Sequence, residues 1–365
     1  MSNQKLLSIS IPTWNRSKLI HELLEGLIAQ ILKYNLSESV EIVVSNNGSE
    51  DNTHEIVEEL KSKYSFITYN RNPVNLGANP NVMKSMELAS AEFLIFLGDD
   101  DRIEDGSLAR IIEYIKAHKD AGIIIDSSKF KNKSHIENDE TNLNDLLRNY
   151  YWNIGNAGVF IVRSSYVKES LSKYKADFFN QCWSQTQFMI LGSHEHKNNR
   201  IYVNDLGIIS HSVHQEVTIY NSFYLWMGAY YDLFRAIKDL ENIVDKQTYI
   251  SARQYLKNNI TQLFFNFLQC GVYIDDPETR RKTRKHIQKY LKLFSTKEKI
   301  YMFVAIITLG LPTFISRFLC NIFILLLKGK AGIVKKNEFV KTEKNKKEQA
   351  KRSKSITVRN LELEG

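Results

Sequence analysis

The sequence predicts an α/β protein: a mostly parallel sheet with helices on both faces, followed by a C-terminal helical, membrane-associating region. Three observations lead there. Short β-rich apolar runs alternate with amphipathic helical stretches over residues 1–125. The run EFLIFL (92–97) is apolar almost throughout, as a strand buried on both faces must be. Polar clusters follow four successive strands, which aligns them on the carboxyl edge where open α/β sheets bind ligands.

In order, LLSISI (6–11) reads as the first strand. SKLIHELLEGLIAQILKY (17–34) carries Ile20, Leu23, Leu24, Leu27, Ile28 and Ile31 at helical spacing, with Ser17 expected as its N-cap. VEIVVS (40–45) is strand-like, and 49–63 is an amphipathic helix. FITYN (66–70) is a third strand, and PNVMKSMELA (80–89) a helix whose proline is tolerated in the first turn. After strand 92–97 come a helix over 105–118 and the strand AGIIID (121–126). Residues 127–150 read as a polar loop and a short helix. NIGNAGVFIVRSS reads as a strand entering a turn, NRIYVNDLGIISHS as two short strands, and 222–295 as mostly helical. Five regions are expected: 1–125 and 126–220 as the two halves of one α/β domain, a helical region 221–298, an apolar hairpin 299–330 and a basic, disordered tail 331–365.

The charge is localised. The chain carries a net +8, and residues 328–354 hold eleven Lys or Arg against three Glu, so the remainder is neutral. A neutral body with a basic tail argues against a nucleic-acid partner and for a local electrostatic device. Cys182, Cys270 and Cys320 are far apart and form no CxxC pattern, which excludes a zinc site of that kind and a disulfide framework. MSNQKLLSIS has no cleavable apolar leader, so a cytoplasmic location is expected.

The first strand is followed by Pro12, Thr13, Trp14, Asn15 and Arg16, and by neither GxGxxG nor GxxxxGK[ST]. The usual dinucleotide and P-loop chemistries are thereby excluded. An aromatic there can stack on a base; an ordinary strand-to-helix turn is the alternative. The second strand leads into Asn46, Asn47 and Gly48, the third into Asn75 and Gly77, with Asn81 just beyond. The fourth ends in Asp99, Asp100 and Asp101. Adjacent carboxylates repel one another, and a divalent cation such as Mg2+ or Mn2+, which takes one or two carboxylates and completes its shell with water and phosphate, would relieve them. A solvated turn ahead of the next helix would do so too.

In this order, PTWNR, VEIVVSNNGSEDNT, NRNPVNLGANPN and ASAEFLIFLGDDDRIEDGSL resemble the nucleotide-sugar-binding half of family 2 glycosyltransferases, which have the GT-A fold; the GDDD form is most similar to the abequosyltransferase-like branch. The resemblance covers residues 5–125. It implies that Thr13, Trp14 and Asn15 line the base and ribose site, with Pro12 and Arg16 also binding the nucleotide-sugar. Asn46 takes the place of an aspartate that bonds the base, leaving UDP-, CDP- and dTDP-linked donors all open. Asn47, Gly48, Asn75, Gly77 and Asn81 would line the rest of the nucleotide-sugar site with Asp99. Asp100, with Asp101, would be the metal ligands. The activity implied is inverting, metal-dependent transfer onto a surface-polysaccharide or lipid-linked oligosaccharide. A non-catalytic membrane-bound scaffold is the alternative, and an Asp-dependent phosphate hydrolase a more distant one.

The family's Glu-Asp pair has no match in Phe179–Gln185, and Asp177 is the candidate general base, against a plain surface acid. His211 is the candidate late histidine near metal or diphosphate, against an ordinary surface histidine; His194-Glu195-His196 reads as a solvated loop. Between Lys299 and Lys330 the chain is strongly apolar but broken by Gly310 and Pro312 and interrupted by Arg317. Each piece is shorter than the ~20 residues that cross a bilayer. The expectation is a hairpin lying on the inner face of a membrane, with a buried helix pair as the alternative.

Overall fold

The computed structural model describes residues 4–128, 140–150, 157–178, 194, 196, 200–212, 242–251, 254, 281, 284, 285, 288, 296–312, 314–316, 318, 319 and 322. The chain divides into two compact units, residues 1–217 with 225–257, and residues 218–224 with 258–365. The expectations for Phe179–Gln185, Glu195, Arg317 and the basic tail lie outside the described residues, as does most of 222–295.

In the first unit the order is β1 (Leu7–Thr13), α1 (Ser17–Lys33), β2 (Val40–Asn46), α2 (Thr53–Lys63), β3 (Ile67–Arg71), α3 (Ala78–Glu87), β4 (Phe93–Phe96) and β5 (Asp101–Ile103). It continues with α4 (Ser107–Ala117), β6 (Ala121–Asp126), β7 (Glu140–Thr141), α5 (Leu143–Tyr150), β8 (Phe160–Arg163), α6 (Ser164–Phe178), β9 (Arg200–Asn204) and β10 (Ile209–Ser212). Eight strands form one sheet in the order β3-β2-β1-β4-β8-β6-β9-β7, and β10 pairs with β5 in a second, two-stranded sheet. The β3-β2-β1-β4 half is wholly parallel. β8 is wedged antiparallel between β4 and β6. It runs directly into α6, where the sequence suggested a turn.

The two faces of β1 differ. Leu7, Ile9 and Ile11 join the main core with Leu23, Leu27 and Ile31 of α1 and Ile111 of α4. Ser8 and Ser10 point the other way, and the Ser10 hydroxyl donates to Ser85 of α3 at 2.7 Å. Small serines let α3 sit close on β1, while the aliphatic face supplies burial at about 25 cal/mol per Å² of apolar surface. Ser17 is not the N-cap of α1. It is the first helical residue, behind Arg16, and its N–H is taken by the Asp51 carboxylate at 2.9 Å.

The opposite end of the sheet, away from the strand tips, is closed by Glu41. This buried carboxylate accepts from the Ser8 hydroxyl, from the backbone N–H groups of Ser90 (2.6 Å) and Ala91 (3.2 Å), and from the Ser90 hydroxyl (2.8 Å). It ties β1 and β2 to the entry of β4. Glu41→Ala is expected to lower stability by about 1–3 kcal/mol, the cost of a buried donor left without its acceptor. Glu41→Gln, which keeps one acceptor oxygen, should cost less; urea midpoints at constant m value check both.

Candidate active site

The parallel half places the ends of β1, β2, β3 and β4 along one edge. The residues predicted from the sequence separate there into two layers. Trp14, Asn15, Asn75 and Gly77 are exposed on the rim, with Trp14 48% accessible. Pro12, Arg16, Gly48 and Asp100 are partly buried. Thr13, Asn46, Asn47, Asn81, Asp99 and Asp101 are buried beneath them.

Asp99 is the centre of the cluster. One carboxylate oxygen accepts from the Thr13 hydroxyl at 2.7 Å, and the other from the Arg16 guanidinium at 2.6 Å. Arg16 also stands 3.3 Å from Asp100. Burial pushes the Asp99 carboxyl above the ordinary range, and the charge of Arg16 and the bonds from Thr13 and Arg16 only partly offset it. Burial pulls the Arg16 guanidinium down, but Asp99 and then Asp100 outweigh it and hold it above its usual value. The two partners are therefore unequal. Arg16 gains from the pair, while Asp99 loses more in hydration than Arg16 restores. Asp101 turns back on its own turn and accepts the Gly98 N–H at 2.8 Å.

Under the rim lies a lattice of amides. Asn47 donates to Asn75 Oδ1 (2.8 Å) and to the Gly77 carbonyl (3.1 Å), and accepts from the Leu76 N–H (3.0 Å) and from Asn72 (3.1 Å). Asn81 Oδ1 accepts from Ser45 (2.8 Å) and Asn72 (3.0 Å), and its amide donates to the Ser45 carbonyl (2.8 Å). Asn46 is fully buried. Its Oδ1 takes the Ser49 N–H at 2.9 Å, and its amide donates to the Tyr69 hydroxyl, also at 2.9 Å. These bonds of Asn46, Asn47 and Asn81 tie together the loops that carry the rim. Gly48 has φ +70, and a Cβ there would lie 2.8 Å from the Val74 carbonyl carbon, so only glycine lets the loops after β2 and β3 meet. Sequence reading missed Asn72 and Tyr69; an Asn directly before Pro73 in an Asn-rich loop was the available signal for the first.

Asp177 falls in the last turn of α6. His211 lies on β10 opposite Arg102 of β5, so its strand is brought beside the acidic turn. His196 lies outside helix and strand and is partly exposed; its ring stacks on Tyr166 at 3.8 Å between centroids and its Nε2 meets Glu169 at 3.0 Å.

Among the described residues no three His, Cys, Asp or Glu side chains converge on one point. Mg2+ and Mn2+ do not need such a cage, since one or two carboxylates with substrate phosphate suffice. Hard oxygens on Asp100 and Asp101 beside a partly open tip fit that donor chemistry.

Residues 8–175 match the model of Glycosyl transferase family 2. Abequosyltransferase RfbV of Salmonella typhimurium is 38% identical over 116 residues, 32% of this chain and 34% of that protein. A GalNAc(5)-diNAcBac-PP-undecaprenol beta-1,3-glucosyltransferase of Campylobacter jejuni is 30% identical over 151 residues, 39% of this chain and 47% of that one. The matched stretch thus spans only a third to a half of these curated relatives. The crystal structure of S. aureus TarS 1-349 in complex with UDP-GlcNAc superposes with a TM-score of 0.54 at 18% identity, covering 83% of this chain and 89% of that one. The sheet and its acid-tipped edge thus define a GT-A type fold. Its matched segment is similar to family 2 glycosyltransferases.

Arg16→Ala leaves the Asp99 carboxylate buried without its cation. The expected loss is about 1–3 kcal/mol, below the 3–5 of a fully buried pair because the guanidinium keeps 31% of its exposure. The loss should shrink in an Asp99→Asn background, read as the coupling energy of a urea-denaturation double-mutant cycle.

Proposed function

We propose that the chain transfers a sugar, with inversion, from a nucleoside-diphosphate donor to a surface-polysaccharide or lipid-linked oligosaccharide acceptor. The observation that carries this is the acidic turn after β4, locked to the end of β1 through Thr13 and Arg16 and set beside an exposed Trp14, in a chain whose matched segment is similar to this family. Trp14 would stack on the base, with Asn15, Asn75 and Gly77 around the nucleotide. The buried Asn46, Asn47 and Asn81 would keep that rim in shape. A neighbouring fold, a mannosyltransferase from Pyrobaculum calidifontis, was solved in complex with GDP-Man and Mn2+. Here Asp100 and Asp101 would hold Mg2+ or Mn2+, whose Lewis acidity neutralises charge developing on the departing diphosphate. Arg16 would balance the remaining acid. A carboxylate must take the proton of the attacking hydroxyl, and Asp177 is our candidate. His211, on the strand that faces β5, is the candidate contact to metal or diphosphate.

A thermal-shift series with UDP, CDP and dTDP, with and without Mn2+, is expected to show stabilisation by one nucleotide that deepens with the metal. Asp100→Ala should remove the metal-dependent part, and turnover of the matching nucleotide-sugar should fall about 10²-fold or more. A response to none of the three nucleotides overturns the reading and favours the scaffold.

We further infer attachment to the inner face of a membrane. No described helix is long and apolar enough to cross one. Within the second unit, the helix Thr296–Gly310 exposes Ile300, Phe303 and Ile307, and the helical positions beyond it expose Phe314, Phe318 and Ile322. These recur three, four or seven apart, and the basic segment 328–354 follows directly. Each Lys or Arg near anionic lipid adds about 1 kcal/mol of attraction. The full chain should co-sediment with vesicles containing phosphatidylglycerol, less with neutral ones. Phe303→Ser with Phe318→Ser should release it at unchanged nucleotide affinity; binding insensitive to both charge and these substitutions refutes the attachment.

A further inference from the structure

A second carboxylate, away from the acidic turn, controls where that turn sits. Asp126 ends β6 and is buried. It accepts from the backbone N–H groups of Leu206 (3.0 Å), Gly207 (3.2 Å) and Ile208 (2.9 Å), and from the N–H (3.0 Å) and hydroxyl (2.8 Å) of Ser128. Arg110 of α4 grips the same turn by its carbonyls, donating from Nε to Leu206 at 2.9 Å and from Nη2 to Gly207 at 3.2 Å. A turn held by a carboxylate on its donors and a guanidinium on its acceptors has little freedom. Leu206 and Ile208 are buried on either side, and Gly207 takes φ +58.

What the turn carries is β10. The Ile208 carbonyl accepts the Glu104 N–H at 2.9 Å, the Ser210 hydroxyl donates to the Arg102 carbonyl at 3.0 Å, and Ser212 lies opposite Asp101. β5 has β10 as its sheet partner, and β5 begins with Asp101. Gly158 reinforces the placement, since a Cβ there would stand 2.6 Å from the Ile209 side chain.

We propose that Asp126 and Arg110 are positioning residues for the acidic turn: they set the 205–208 turn, which sets β10, which sets β5 and Asp101. Only the consequence for metal binding rests on the donor-site reading; the mechanical coupling does not.

The test is amide hydrogen exchange on the full chain, as wild type, Asp126→Asn, Asp126→Ala and Arg110→Gln. Loss of these charge-assisted bonds should speed exchange about tenfold in residues 206–212 and also in 101–104, with β2 as an unmoved control. Asn keeps one acceptor oxygen and should fall between Ala and wild type. UDP affinity without metal should stay within about twofold, while the Mn2+ concentration for half-maximal effect rises several-fold. Loosening confined to 206–212, with 101–104 unchanged, overturns the proposal and leaves Asp126 a local anchor. If Asp126→Ala does not fold, Arg110→Gln decides between the same two outcomes. A wild type that binds no nucleoside diphosphate refutes the donor site but leaves the exchange result standing.

Discussion

One buried carboxylate joins two segments far apart in sequence. Asp99, at the end of β4, is bonded to Thr13 at the end of β1 and to Arg16 just before α1. A carboxylate in that position cannot be left unpaired, because its lost hydration costs several kcal/mol. Arg16 and Thr13 are therefore a condition of the acidic turn being there. With that pair in place, Asp100 stays partly exposed and Asp101 folds back to begin β5. The direction of the shifts fits this division: the Asp99 carboxyl is pushed upward by burial even with Arg16 beside it.

The same constraint governs the rest of the edge. Loops normally lie on the surface because their backbone groups need partners. Here the loops after β2 and β3 are tied down by carboxamides, which carry donors and acceptors without net charge. Asn47 joins the Asn75–Gly77 stretch to Asn72. If this rim takes the proposed donor, the satisfied amide layer beneath it would leave less ordering to oppose binding.

Much of the first unit was legible from local pattern. The apolar runs at 40–45 and 121–126 are strands within a residue of their expected ends, because burial on both faces leaves few alternatives. What local pattern cannot carry is long-range pairing. β5 is three residues, and its partner lies over a hundred residues on. The antiparallel entry of β8 beside β4 is equally invisible before folding. Asn46 shows the same limit at the site. In NNGS it looks like a ligand group, yet its amide is taken up by Tyr69, 23 residues away. Thr13, Arg16 and Asp99 were legible as members of a candidate site but not as one another's partners.

The most direct measurement is a crystal structure with the stabilising nucleoside diphosphate and Mn2+, phased at the manganese edge to locate the metal. The anomalous peak should lie at the β4 tip within bonding distance of Asp100, with the pyrophosphate beside it and the base against Trp14. A peak and nucleotide bound elsewhere, with the acidic turn facing away from them, would contradict the reading of this edge as the donor site.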